Sequence, residues 1–417
     1  MASDDNEVVS YDSATGQVSL KDPLKYYHFG APESTADEYN GLDIRGEVIL
    51  LSRNIKISGE DIESWGAQFV TSDTTEFDVI NDQVITRFGQ TFIDNVEFYN
   101  CSQIDTHKAA IRFENAQGKW SSVTNSAFHH GYGWGANVKT SANIHFANNN
   151  FFFFGPIGVS IGSSNNITFD GNVVAHIQKR TTIEAGDMFQ DKEGGFVTCT
   201  YFSTTEVCRN IQVTNNIVAG AHWTGFTAYG HECGDYTANT FKGNVAHSIN
   251  GSKGGTGAII IPDRSSSTQM TGCFEGSHFS AYKCSQEGAM SLVNGPHTAI
   301  FSHMTIVDNY KGLSNGLARS RGPAEYGGRW HMQINKNFIV GEAPESLDQP
   351  TDGSWNLVHK DKCGIYSMSV IHGAKPIHPT MASPKPYDKY KSYAAWGGKA
   401  TLQGNIFKNF HGTTVEG

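Results

Sequence analysis

Apolar and polar positions alternate along this chain in short runs, and the runs recur. Residues 123–128 (VTNSAF), 146–151 (FANNNF) and 169–174 (FDGNVV) begin 23 residues apart. The unit returns 44 residues later at 213–218 (VTNNIV) and after a further 28 at 241–246 (FKGNVA). Residues 334–339 and 402–407 read the same way. In each unit an apolar residue is followed three positions later by Asn, or by Ser126 in the first, and then by more apolar residues. A second register lies just upstream, where Ile144, Ile167 and Ile211, each preceded by Asn, precede the unit by a constant offset. A period near 23 in alternating strands, without helical periodicity between them, predicts an all-β fold, the right-handed parallel β-helix. An antiparallel sandwich would need tight hairpin turns at short, regular spacing, and that pattern is absent.

Stacking physics accounts for the residue types. Coils of such a solenoid lie about 4.8 Å apart, so each residue sits over its equivalent in the next coil. Phe146 stacks on Phe169 inside, and Ile144, Ile167 and Ile211 form a parallel column. Asn149, Asn172, Asn216 and Asn244 fall at one turn and predict a buried amide ladder, helped by the tolerance of Asn for left-handed backbone. The run 151–154 (FFFF) cannot all face inward in a strand, so alternate members need cover; the stretch 178–208 is the expected cover.

No linker divides the 417 residues, and one elongated repeat domain is expected. Residues 1–40 read as an N-terminal segment, the tail of a preceding β domain or a helix cap, and 41–417 as the β-helix. Two stretches break the period, 178–208 and the Pro-rich 342–395, and are expected as loops on the outside.

Composition narrows the partners. Charged residues make up only 17% and aromatics 12%, and the net charge is −10. That balance argues against nucleic acid and anionic membrane surfaces. No segment is apolar and long enough to insert in a membrane. The first residues lack the basic and apolar regions of a signal peptide, which reads as a fragment of a longer secreted chain. Among the seven cysteines, Cys199 with Cys208 and Cys273 with Cys284 form close pairs. Both are expected as disulfides, with Cys233 a rival partner in the second. No zinc spacing occurs.

At this point three motifs carry a resemblance. Residues 46–59 (GEVILLSRNIKISG) resemble the "EVGLLTRNI" run that opens the β-helix of fibrocystin, fibrocystin-L and the cell-migration-inducing, hyaluronan-associated proteins. Residues 215–221 (NNIVAGA), 230–233 (GHEC) and 244–248 (NVAHS) are similar to that family's "NNVAAG … G..C … NVAHS" signature. Residues 122–129 (SVTNSAFH) are similar to an earlier coil. The resemblance implies an extracellular or cell-surface module within a large ectodomain. It also shows departures. The family's "IHFH" strand reads AIRFE here, with Arg112 and Glu114 in place of both histidines, and "FHDSFNRG" reads FHHGYGWG. The hyaluronan depolymerisation attributed to some relatives is therefore not implied for this chain.

Candidate sites follow from chemistry. His129, His130, Tyr132 and Trp134 flank a Gly-rich turn and would suit sugar rings. Asp187, Asp191, Glu193, His222, His231 and Glu232 supply the carboxylates and imidazoles that glycoside hydrolysis or β-elimination would need. The bland reading, a solvated acidic loop whose members point separately into solvent, is preferred. Spacing for calcium is weak, and no cofactor is expected. His247 is expected to bond the backbone of neighbouring coils. Asn100, Asn166 and Asn250 match the glycosylation sequon; Asn166, in the ladder region, reads as too buried, and Asn250 and Asn100 remain. The resulting expectation is a structural or glycan- or protein-binding ectodomain module. The alternatives are a hyaluronidase- or lyase-like enzyme and a unit that self-associates through its coil ends.

Overall fold

The computed structural model describes residues 4–26, 28, 30, 39–60, 63, 65–104, 106–179, 193–199, 208–229, 231–233, 239–261, 273–293, 298–317, 331–341, 363–367 and 399–410. The chain winds as a parallel β-helix with three faces. Face 1 includes Phe92–Asp94, Ser121–Thr124, Ala142–Ala147, Asn165–Asp170 and Arg209–Thr214, and ends on Lys399–Gln403, each strand paired in parallel with the next coil. Face 2 runs from Ile55–Ser58 through Val96–Tyr99, Ala127–His129, Asn150–Phe154 and Val173–Ile177 to Ile406–Lys408. Face 3 runs from Phe69–Thr71 through Ile111–Glu114, Ala136–Lys139 and Ile157–Gly162 to Cys363–Ser367. Faces 2 and 3 join into one 20-stranded sheet, because the 13-residue strand Ile217–Tyr229 passes through the corner between them.

The repeat read from the sequence is the register seen here. Ile144, Ile167 and Ile211 are direct partners, as are Phe146, Phe169 and Val213. Inside, Phe98 stacks on Phe128 at 4.5 Å, Phe128 on Phe151 at 4.8 Å, and Phe146 on Phe169 at 4.4 Å. At the turn from face 1 to face 2, Asn172 Oδ1 accepts from Asn149, Asn216 Oδ1 from Asn172, and Asn244 Oδ1 from Asn216. Each amide also donates to a backbone carbonyl that would otherwise lie unpaired, as Asn149 Nδ2 does to Val123 O at 2.8 Å. The residues before the ladder, among them Asn125, Asn148 and Asn215, are left-handed at φ near 50–55°. The ladder then lapses, since Phe279 and Met304 occupy its column, and resumes with Asn337 and Asn405.

Among the described residues two hairpins pair antiparallel, Val8–Asp12 with Gln17–Leu20 and Thr74–Asp78 with Gln83–Arg87. Some expectations need correction. Both stretches taken for loops carry a coil strand of face 3, Gly194–Thr198 and Cys363–Ser367; in the first, polar flanks hid a short buried run. Asn166 is exposed rather than buried, and its amide joins a second, outer ladder with Asn143 and Asn210. In the FFFF run, Phe152 is covered by Ile49 and Leu51 of the N-terminal segment; of the expected cover, 180–192 and 200–207 lie outside the described residues.

That segment, residues 39–53, lies as a strap across the outside of face 2. Tyr39, Leu42 and Ile44 pack on Tyr282, Val307, Phe338 and Val340, and further along Ile49 and Leu51 pack on Phe152, Ala175 and Ala219. The strap thus crosses the strands coil by coil before entering the first coil at Ile55. One inward column is open at both ends: Ile57 is 37% exposed and Phe407 43%, whereas Phe98, Phe128 and Phe151 between them are buried.

Candidate functional site

At the corner from face 2 to face 3 the chain turns on a single left-handed residue in coil after coil. Asn100, His130, Phe153, His176, Gly220 and Ser248 hold this place, with φ from 51° to 68°. The turn at Phe153 restores Phe154 to the interior, which is how three of four consecutive phenylalanines become buried. A left-handed aromatic costs about 1–3 kcal/mol. Ring stacking offsets part of that: Phe153 lies 5.2 Å from His130 and 4.9 Å from His176, between the two imidazoles.

Beside this column sits a hydrogen-bonded chain. Glu97 is buried on face 2; its Oε2 accepts from the Arg53 N–H at 3.1 Å, and its Oε1 lies 2.7 Å from Lys56 Nζ and 3.2 Å from His129 Nε2. His129 Nδ1 lies 2.8 Å from His130 Nδ1. With Glu97 ionised, His129 donates from Nε2, its Nδ1 accepts, and His130 donates from Nδ1. His130 Nε2 lies 3.3 Å from Asp5 Oδ2. Burial would raise the Glu97 carboxyl, but Lys56 and the Arg53 N–H outweigh it and hold it below the usual range. Burial pushes His129, His130 and His176 below the ordinary imidazole value, so the column is neutral near pH 7. Tyr132 and Trp134 are half-buried on the following turn, and the indole N–H of Trp134 is buried without a partner.

A second carboxylate–imidazole pair corrects the expectation that Glu193 points into solvent. Glu193 is buried and its Oε2 lies 3.1 Å from Nδ1 of half-buried His222. Thr224 Oγ1 donates to the Glu193 carbonyl, and Trp223, next to His222, is left-handed at φ 80°. Asp187 and Asp191 lie outside the described residues; His231 and Glu232 form a two-residue strand paired antiparallel with the strand Cys273–Ser277, and their side chains lie outside the description. A third pair, not foreseen, ties the strap down. His247 Nε2 lies 2.7 Å from Glu47 Oε1, its ring stacks on Tyr282 at 4.4 Å, and Tyr282 OH donates to the same carboxylate. His247 therefore meets the strap and Ser248 Oγ rather than neighbouring backbone. A cleft of about 540 Å³ opens beneath the strap, bounded by Asp43, Arg45 and Glu47 on one side and Ile217, Val245 and Ser280 on the other.

Cys199 and Cys208 are bonded, closing the neck of the 200–207 segment. Cys284 is a free buried thiol, so the expected bond between Cys273 and Cys284 is not made; burial pushes that thiol up to about 12. Cys233 is disulfide-bonded. Among the described residues no three His, Cys, Asp or Glu side chains are placed to hold a metal ion, and no helix is long and apolar enough to cross a membrane.

No family model matches the chain. Over 423 residues it is 25% identical to fibrocystin-L of Homo sapiens, covering 94% of this chain. Fibrocystin of Canis lupus familiaris is 23% identical over 416 residues, and fibrocystin-L of Mus musculus 23% over 425. The chain spans about 9% of the length of these relatives. Among solved structures it resembles PfbA, a surface adhesin of Streptococcus pneumoniae, at 11% identity over 78% of this chain and 84% of that one, with a TM-score of 0.33. That likeness is too remote to bear on role. The alignments to three fibrocystin-type proteins, each over 94% of the sequence, agree with the motifs at residues 46–59 and 215–248: the chain is similar to fibrocystin and fibrocystin-L over nearly its whole length.

Proposed function

We propose that this chain is an extracellular β-helical module that binds a glycan along the corner between faces 2 and 3. The observation that carries the reading is the half-open column of His130, Phe153 and His176, a neutral stack of ring faces repeating once per coil. Flat rings with polar edges suit a ligand that is apolar on its faces and hydroxylated at its rim. The compartment is supported by the Cys199–Cys208 disulfide and the bonded Cys233. A glycan array run with and without calcium tests the reading. Binding that is lost in Phe153→Ala and in His130→Ala supports it; an array without hits, or hits indifferent to both changes, sinks it.

The Glu193–His222 pair favours a second reading, polysaccharide cleavage. A carboxylate that fixes one imidazole nitrogen leaves the other as a base. Incubation with hyaluronan, pectin and alginate, followed by assays of reducing ends and unsaturated products, tests it. Turnover abolished by His222→Ala would establish it. Self-association through the coil ends has the exposed Ile57 and Phe407 in its favour, and sedimentation over a concentration series tests it.

A further inference from the structure

We propose that Asn250 carries an N-linked glycan whose first sugar covers the Glu193–His222 pair. The inference rests on the extracellular reading. Of the three sequons, Asn166 has its amide committed in both directions, donating to Asn143 at 2.6 Å and accepting from Asn210 at 2.8 Å. Asn100 is half-buried and left-handed, and its carbonyl is crowded by Gly59 and Gly66 so closely that a Cβ on either would overlap it. Asn250 is exposed.

The ladder itself opens at Asn250. Asn250 pairs with His222, but the next pair is Gly255 with Trp223, so residues 251–254 have no counterpart and form a bulge. The sequon therefore lies at a break in the strand, where the backbone is presented rather than locked. The transfer needs a lipid pyrophosphate-linked oligosaccharide. Asn250 Nδ2 forms a bond to the anomeric carbon, the bond from that carbon to the pyrophosphate oxygen breaks, and the amide proton leaves with the pyrophosphate.

Register decides what the sugar covers. Partners on adjacent coils stand about 4.8 Å apart with side chains on the same side. A glycan on Asn250 consequently begins beside His222, whose Nδ1 is held by buried Glu193. The pair is then a roofed structural contact and not a base open to a polymer.

The test is secretion of the full chain from a glycosylating eukaryotic host, followed by enzymatic deglycosylation in oxygen-18 water and peptide mapping. Labelled aspartate at position 250, absent at 100 and 166, is the expected result, together with several-fold slower carbethoxylation of His222 than in N250Q. Secreted protein with the Cys199–Cys208 bond intact but no glycan at Asn250 overturns the site. Equal His222 reactivity in glycosylated protein and in N250Q overturns the covering. Failure of secretion with both thiols reduced removes the extracellular reading, and the site with it.

Discussion

Asn172 Oδ1 accepts twice from Asn149, from its backbone N–H at 3.0 Å and from its Nδ2 at 2.9 Å, so a single oxygen joins two coils. Asn172 Nδ2 in turn donates to Phe146 O and to Asn216 Oδ1. Replacing it with Leu leaves buried groups unpaired above and below, at about 1–3 kcal/mol for each. Asn172→Leu should therefore lower the melting temperature far more than Asn115→Gly, which keeps an exposed left-handed turn at φ 56°. Equal shifts would refute the ladder.

The strap gives a matched pair of variants. Leu51 packs on Phe152, Ala175 and Ala219, whereas Val48, three residues earlier, is 99% exposed. Leu51→Asp should cost roughly 1–3 kcal/mol in chemical denaturation through lost burial. Val48→Asp should stay within about 0.5 kcal/mol. Similar midpoints for the two would mean that the strap does not hold face 2.

Thiol chemistry separates the cysteines. Cys101 and Cys284 are buried, and burial pushes both up to about 12, so neither should react with alkylating agents before unfolding. The Cys199–Cys208 bond, closing a sequence separation of 9, contributes roughly 2–3 kcal/mol on chain-entropy grounds. Intact mass after alkylation, native and denatured, reads both. Cys284 labelled in native protein would contradict its placement.

Acid should weaken the fold in two stages. His129, His130 and His176 have folded values below the unfolded one, because burial disfavours their charged forms. The unfolded chain takes up protons first, so their contribution is complete above about pH 6.5 and is lost as pH falls toward the folded values. Glu97 and Glu47 are depressed against the effect of burial by Lys56 and His247, and their contribution goes in a lower window, below about pH 4.5. Melting curves from pH 7.5 to 4 should show both stages. The first should flatten when the three histidines become Gln; an unchanged profile would exclude them as its source.

How much of this was legible in advance depended on distance along the chain. The coil architecture and the ladder of Asn149, Asn172, Asn216 and Asn244 could be read directly, because stacking places like residue on like residue and prints the structure as a period. His129 and His130 could be marked as a pair, and the close cysteines Cys199 and Cys208 as bonded, since both depend on near neighbours. What pairs across coils without repeating left no such imprint. Glu97 meets His129 from 32 residues away, Glu193 meets His222 from 29 away, and Glu47 reaches His247 only because the strap runs across the outside of face 2 before the first coil begins. The choice of cover for Phe152, the burial of Glu193 and the exclusion of Cys284 from a disulfide were settled by which surfaces the winding brings together. A period fixes what lies above and below a residue; only the folded chain decides what crosses its face.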